Sequence, residues 1–229
     1  MSMQLLTPRS DRYEHKKRDK RLSQYANIRV AQREAYQHRD KAQTTDTFLG
    51  IPCRQVTYQV PSKEEREKMR DQFNEEKRAE FVKYLATTQR EALKRAGISD
   101  KQIENMRING WTPHGFNTHH KLPIHGGGTN DFSNLVLVRR EPWHDMMHYH
   151  LINQQVKNMN EGDSRVITIP DPGTPVFSAA PQYKFLEKWY KKGRKTYGKN
   201  KNTTLDEVEA EAAHQTALIA ARGRAGAGR

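Results

Sequence analysis

Met69, Phe73, Phe81, Leu85 and Leu93 recur at near-helical spacing through an otherwise charged stretch. This periodicity predicts one long amphipathic helix over 62–96, or two in tandem, with the apolar positions in the core. Ser62 and Glu65 stand three apart, as a capping box requires, and Gly97 supplies the stop. A second box, Ser99 with Gln102, opens a shorter helix through Met106 that closes near Gly110. Elsewhere the period changes to two. Gln55 to Val60 alternates and is rich in β-formers, which predicts a short strand bounded by Pro52 and Pro61. Leu135-Val136-Leu137-Val138 is uniformly apolar and predicts a buried strand, and Arg165 to Ile169 predicts another. The Pro/Gly-rich run 170–181 is expected to be a loop. An Ala-rich helix is expected from Thr204 to about Arg222, followed by a disordered GRAGAGR end.

Composition narrows the class. Of the 229 residues, 34% are hydrophobic and 29% charged, with a mean hydropathy of −1.03, so the core is expected to be modest. A formal net charge of +13 calls for a polyanionic partner, nucleic acid first and an anionic membrane surface second. Residues 1–45 carry eleven Lys/Arg against five Asp/Glu and read as a basic arm or a surface helix around 22–42. Residues 182–201 interleave eight Lys/Arg with Tyr183, Phe185, Trp189, Tyr190 and Tyr197. Such rings can stack on bases or, equally well, pack one face of a helix. Cys53 is the single cysteine, which excludes an intramolecular disulfide and a Cys-based zinc site. No stretch reaches the length of a membrane span and the N-terminus lacks an apolar signal core, so no membrane association is expected. The expected location is the cytoplasm of the producing cell, which also fits export without a cleaved signal.

The candidate chemistry lies in Asn117 to His150, which holds six of the ten histidines. His144 and His148 are four apart. On a helix, which Pro142 can begin, this sets both imidazoles on one face as two ligands of one ion. A third ligand must come from elsewhere, and the His119-His120 pair is the obvious source. On a strand, adjacent side chains point to opposite sides. One of the two can then bind metal while the other, as neutral imidazole, accepts a proton. Gly126-Gly127-Gly128 permits a tight excursion, Asn130 and Asp131 are turn formers, and the Asn134 amide can tie the loop down and orient the base.

The string HHKLPIHGGGTNDFSNLVLV, followed by the two spaced histidines, closely resembles the HNH nuclease motif, whose fold is the ββα-metal finger. Within that superfamily it is most similar to the DNase domains of colicins and pyocins and to toxin domains of type VI secretion and polymorphic-toxin effectors. The resemblance covers about 40 residues. It implies that His119, His144 and His148 are metal ligands, that His120 is the general base, and that Asn134 braces the base and its loop. It also implies one divalent metal ion. Three imidazoles suit bound Zn2+, while Mg2+, Ni2+ or Mn2+ remain options for turnover. The family's Glu two residues before the pair is Asn117 here, so the phosphate-gripping group is open. Arg139, Arg140 and Lys121 are the candidate nucleic-acid contacts, and His114, His125 and His150 are expected to lie outside the ligand set.

The expected fold class is α+β, with a small ββα-metal finger (111–152) embedded in a mainly α-helical protein. A basic arm and short strand (1–61) and a helical region packing on the finger (62–110) precede it, and a basic extension (153–229) follows. The expected function is that of a metal-dependent DNase, secreted as an antibacterial toxin and neutralised by an immunity protein, with a secretion-apparatus or adaptor protein as a further partner. The alternatives are a phage, restriction or homing HNH nuclease, or a non-catalytic zinc-stabilised DNA-binding module.

Overall fold

A computed structural model describes residues 47–189 and 205–226 of the chain. The expectations for 1–45, and those for Tyr190 and Tyr197, lie outside the described residues. The architecture is mixed α and β, with two small antiparallel sheets and several helices.

The apolar periodicity over 62–96 becomes tandem helices. Ser62 caps α1 (Lys63–Gln72). Its hydroxyl accepts from the Glu65 N–H at 3.2 Å, and its own N–H donates to Glu65 Oε2 at 2.9 Å. One wide π-helical turn, Phe73–Lys77, leads into α2 (Arg78–Thr88). Gln89, at φ −124°, then breaks the path before α3 (Arg90–Arg95). The second capping box, Ser99 with Gln102, opens α4 (Asp100–Asn109), which ends on left-handed Gly110. α1 buries no residue, and Met69 is half-exposed rather than core, because packing begins only at Phe73. From there Phe81, Leu85, Leu93, Ile103 and Met106 are fully buried together. Each apolar side chain of this size removed from water contributes about 1.5–3 kcal/mol.

The expected strand at 55–60 is longer and begins earlier. β1 (Thr47–Phe48) pairs with β2 (Ile51–Gln59), which takes in Pro52. β2 in turn pairs antiparallel with β5 (Ser164–Pro170), in the register Val56↔Ile167. The strands flanking the histidine stretch in sequence are thus joined in one sheet. Their inner residues Tyr58, Ile167 and Ile169 pack on Ile152.

The second sheet is the hairpin of β3 (Phe116–His120) and β4 (Leu135–Arg139), with His119 opposite Val136 and His120 opposite Leu135. Both of its faces are covered. Phe116, Leu135 and Leu137 face the cluster built by α2, α3 and α4. Val136 and Val138 face a second cluster with Trp143, Met146, Met147 and Leu151. This double burial explains why β4 is apolar at four successive positions instead of alternating.

After β4 a helix runs over 142–155 (α5), through the π-helical segments Arg140–His144 and Met147–Ile152 and a final α-helical turn, Asn153–Gln155. Glu141 is still extended, so Pro142 is the first helical residue, where its missing N–H costs nothing. The aromatic run after 182 packs where it is described. Tyr183 and Leu186 are buried, the Tyr183 hydroxyl donates to Glu209 at 2.7 Å, and Phe185 meets Trp189 at a ring distance of 4.7 Å. Glu209 belongs to the last helix, α6 (Leu205–Gly226), which runs four residues past the expected end and into the segment expected to be disordered. Among the described residues, no helix is long and apolar enough to cross a membrane.

Candidate metal centre

Strand alternation separates the histidine pair. His119 shares a hairpin face with Val136, points toward α5 and is only 4% exposed. His120 takes the opposite face, toward the N-terminal helices. α5 is anchored by the buried stripe Trp143, Met147 and Leu151, which leaves the neighbouring stripe, His144 and His148, facing His119. Ring centroids lie 5.2 Å apart for His119 and His144, 4.9 Å for His119 and His148, and 4.6 Å for His144 and His148. One ligand atom from each of the three falls within 4.8 Å of the other two, so the cluster could hold a metal ion.

The donors fit a cation. His148 Nε2 lies 3.2 Å from His119 Nδ1. That is close to the separation of two nitrogens each about 2.0–2.1 Å from one zinc ion in tetrahedral geometry. The other His119 nitrogen, Nε2, is buried without a hydrogen-bond partner. With an ion on Nδ1, Nε2 carries the ring's hydrogen and stays an unpaired buried donor among the described residues, a cost the fold bears at this ring. Burial, then the nearby His148 and His144, hold the His119 pKa far below its usual value; burial, then His144, bring His148 down to about 4. Both are therefore neutral near pH 7, the form that binds metal. The flanking contacts orient the ligands. Asp145 Oδ1 lies 3.4 Å from His144 Nδ1, and the Asn153 side chain hydrogen-bonds His148. Such outer partners fix which nitrogen is free to coordinate. We expect zinc at a hundredfold over its Kd to stabilise the folded chain by about 2.7 kcal/mol. A chelator should reverse the gain in thermal melts, and His148→Ala should lose it.

His120 sits in a different environment. Its ring lies 4.4 Å from Phe73, and its Nε2 is 2.9 Å from Asn130 Oδ1. The Asn130 amide nitrogen donates to the Met69 carbonyl at 3.0 Å and to Gln72 Oε1 at 2.9 Å. Burial lowers the His120 pKa, the hydrogen bond to Asn130 opposes this, and the Arg78 charge adds to the lowering. Arg78 lies over the other ring in this stack, with its guanidinium carbon 4.9 Å from the centre of Phe73.

Asn134 works on the loop and not directly on His120. Its Oδ1 accepts from the Leu122 N–H at 2.9 Å, and its Nδ2 donates to the carbonyls of Leu122 at 3.0 Å and Thr129 at 2.9 Å. These bonds clamp both ends of the glycine loop. The loop also rests on β2, where the Tyr58 hydroxyl meets His125 Nδ1 at 2.8 Å and the Tyr58 ring leaves no room for a side chain at Gly126. His125 is therefore a loop anchor. His150 and exposed His114 lie outside the trio.

The three candidate cations differ. Lys121 is 9% exposed and its Nζ lies 2.9 Å from the half-buried Asp171, which also accepts from Arg54, so a phosphate contact would require breaking this ion pair. Arg139 covers Phe116 at 4.8 Å, pairs with Glu187 at 3.5 Å and donates to the Ala96 carbonyl. Arg140 is exposed. The sequence reading missed Asn130 as a partner of His120, and it also missed Asp145, Phe73 and Arg78. Asp145 follows a candidate ligand directly, which is a local signal. Phe73 and Arg78 reach the site only through packing of the 63–88 helical segment on the hairpin, and Asn130 through the loop that joins the two strands.

No family model matches the chain, and no solved structure matches it. It is similar to the uncharacterized protein YhhZ of Escherichia coli (strain K12), with 32% identity over 128 residues. The match covers 56% of this chain and 31% of that protein, so the chain spans about a third of the length of this relative.

Proposed function

We propose that the chain is a metal-dependent endonuclease of the HNH type that hydrolyses DNA phosphodiester bonds. One observation carries the reading. Three imidazoles converge on one face of a hairpin, and a fourth, next in sequence to one of them, stands on the other face with its ring held by Phe73 and Asn130. Hairpin, clamped glycine loop and following helix, in that order, are what the ββα-metal finger requires. A purely structural zinc site is closed by four protein ligands. Among the described residues the cluster offers three histidines, which leaves a position open, and a structural zinc gives His120 no task.

His120 takes a proton from water, and the oxygen attacks phosphorus in line as the bond to the 3′ oxygen breaks. His119, His144 and His148 would hold a divalent cation, which would supply neutralisation of phosphate charge. Asn134 keeps the loop, and hence the strand end bearing His120, in place. Arg78 is a cation near the base, in a chain whose family-type carboxylate position is Asn117. The net charge of +13 gives sequence-independent attraction to the phosphate backbone.

The biological role proposed with this chemistry is that of a secreted antibacterial toxin, delivered through a secretion apparatus or adaptor into the target-cell cytoplasm and held inactive in its producer by an immunity protein. The test offers plasmid and total RNA in parallel to purified protein loaded with Zn2+, Mg2+, Ni2+ or Mn2+. Plasmid is expected to be nicked and then degraded, with cleavage stopped by EDTA. Intact plasmid with every metal overturns the reading, and degradation of RNA alone moves it to an RNase.

A further inference from the structure

We propose that Asn130 is the positioning residue of this site, fixing both the tautomer and the orientation of His120 by tying the ring to α1. The inference rests on the reading of His120 as the base, and its argument is one of donors and acceptors. The Asn130 amide nitrogen faces the Met69 carbonyl, 3.0 Å away, and a backbone carbonyl can only accept. The amide orientation is thereby settled. Its oxygen must be the atom 2.9 Å from His120 Nε2, and an amide oxygen can only accept in turn. His120 Nε2 therefore carries the hydrogen, and in the neutral ring the free lone pair sits on Nδ1. A general base needs its lone pair on a defined nitrogen, and the choice here is made ten residues along the chain.

Asn130 is itself built in. It is 7% exposed, and its amide makes a second bond, to Gln72 Oε1 at 2.9 Å. Both anchors lie on α1 just before the π-helical turn that supplies Phe73, the ring against His120. One short stretch of helix thus holds the imidazole from two directions, along its Nε2–H and across its face. The N-terminal helices belong to the site through this contact, although none of their residues is a metal ligand.

Ring 15N and 13C shifts of histidine-labelled, zinc-loaded full-length protein read the tautomer directly, with His120 assigned by its loss in His120→Ala. His120 is expected as the Nε2–H form in the wild type and as a mixture of both forms in Asn130→Ala. Asn130→Asp keeps an acceptor and should keep the wild-type form. In cleavage assays Asn130→Ala should lower kcat about 10- to 100-fold with KM unchanged. An Nδ1–H ring in the wild type, or an unaltered tautomer in Asn130→Ala, overturns the assignment. Should Asn130→Ala fail to fold, the wild-type spectrum and Asn130→Asp still decide it. Were the protein to cleave no nucleic acid, the proposed function would fall, and the spectrum would still read what Asn130 does to the ring.

Discussion

His120→Ala is expected to reduce DNA cleavage by about 10^2- to 10^4-fold, the range a general base supplies, while the protein keeps its zinc. The two halves of this expectation come from opposite faces of one strand. The metal trio lies on the α5 side of the hairpin, where the substitution removes nothing. On the other side it removes a ring that Phe73 covers and leaves Asn130 Oδ1 without its donor. An unpaired buried acceptor costs about 1–3 kcal/mol, so melting should fall modestly without loss of cooperativity. Zinc content and plasmid cleavage measured on one preparation separate the two effects. Retained zinc with undiminished cleavage would remove His120 from the mechanism; lost zinc would mean that the two faces are not independent.

Gly128→Ala is expected to be the most damaging small substitution in the loop, destabilising by about 3 kcal/mol or more. A Cβ there would stand 1.7 Å from the Leu122 carbonyl oxygen, 2.6 Å from its carbon and 3.0 Å from Asn134 Nδ2. Two of these are backbone atoms, so no rotamer change relieves the clash. The same Leu122 carbonyl accepts from Asn134, so the displaced backbone takes the clamp with it. Gly115→Ala is the control for backbone freedom, because its φ of +84° favours glycine while nothing lies within 4 Å of its Cβ position, whereas Gly128 is crowded without a positive φ. Urea unfolding of the pair measures the difference. Equal losses at Gly115 and Gly128 would mean that close approach to Leu122 does not decide the matter.

Much of the site was legible because its parts are local. Spacing of four set His144 and His148 on one face, adjacency split His119 from His120, and capping residues marked helix starts at Ser62 and Ser99. The expected mixture of helices and small strands is present. What the chain did not disclose is long-range. Strand β2 finds β5 more than a hundred residues away, and no periodicity within either names the partner. Asn130 reads as a turn residue by composition, and its work depends on a carbonyl 61 residues earlier. Lys121 looks like a surface cation beside a histidine pair, yet Asp171, fifty residues on, draws it under cover. Charge counting sees neither burial nor pairing, which is why basic residues near a candidate site are the weakest of the sequence-level assignments.

The hairpin that divides His119 from His120 has an evolutionary consequence. On the proposed reading, substitutions along α5 would act on ion preference and substitutions along α1 and α2 on the proton affinity of His120, from opposite faces of the hairpin. Variation on the two faces would then reach the proposed ligands and the proposed base from different helices. Adjacent codons for the two histidines hold the two adjustable halves together in inheritance.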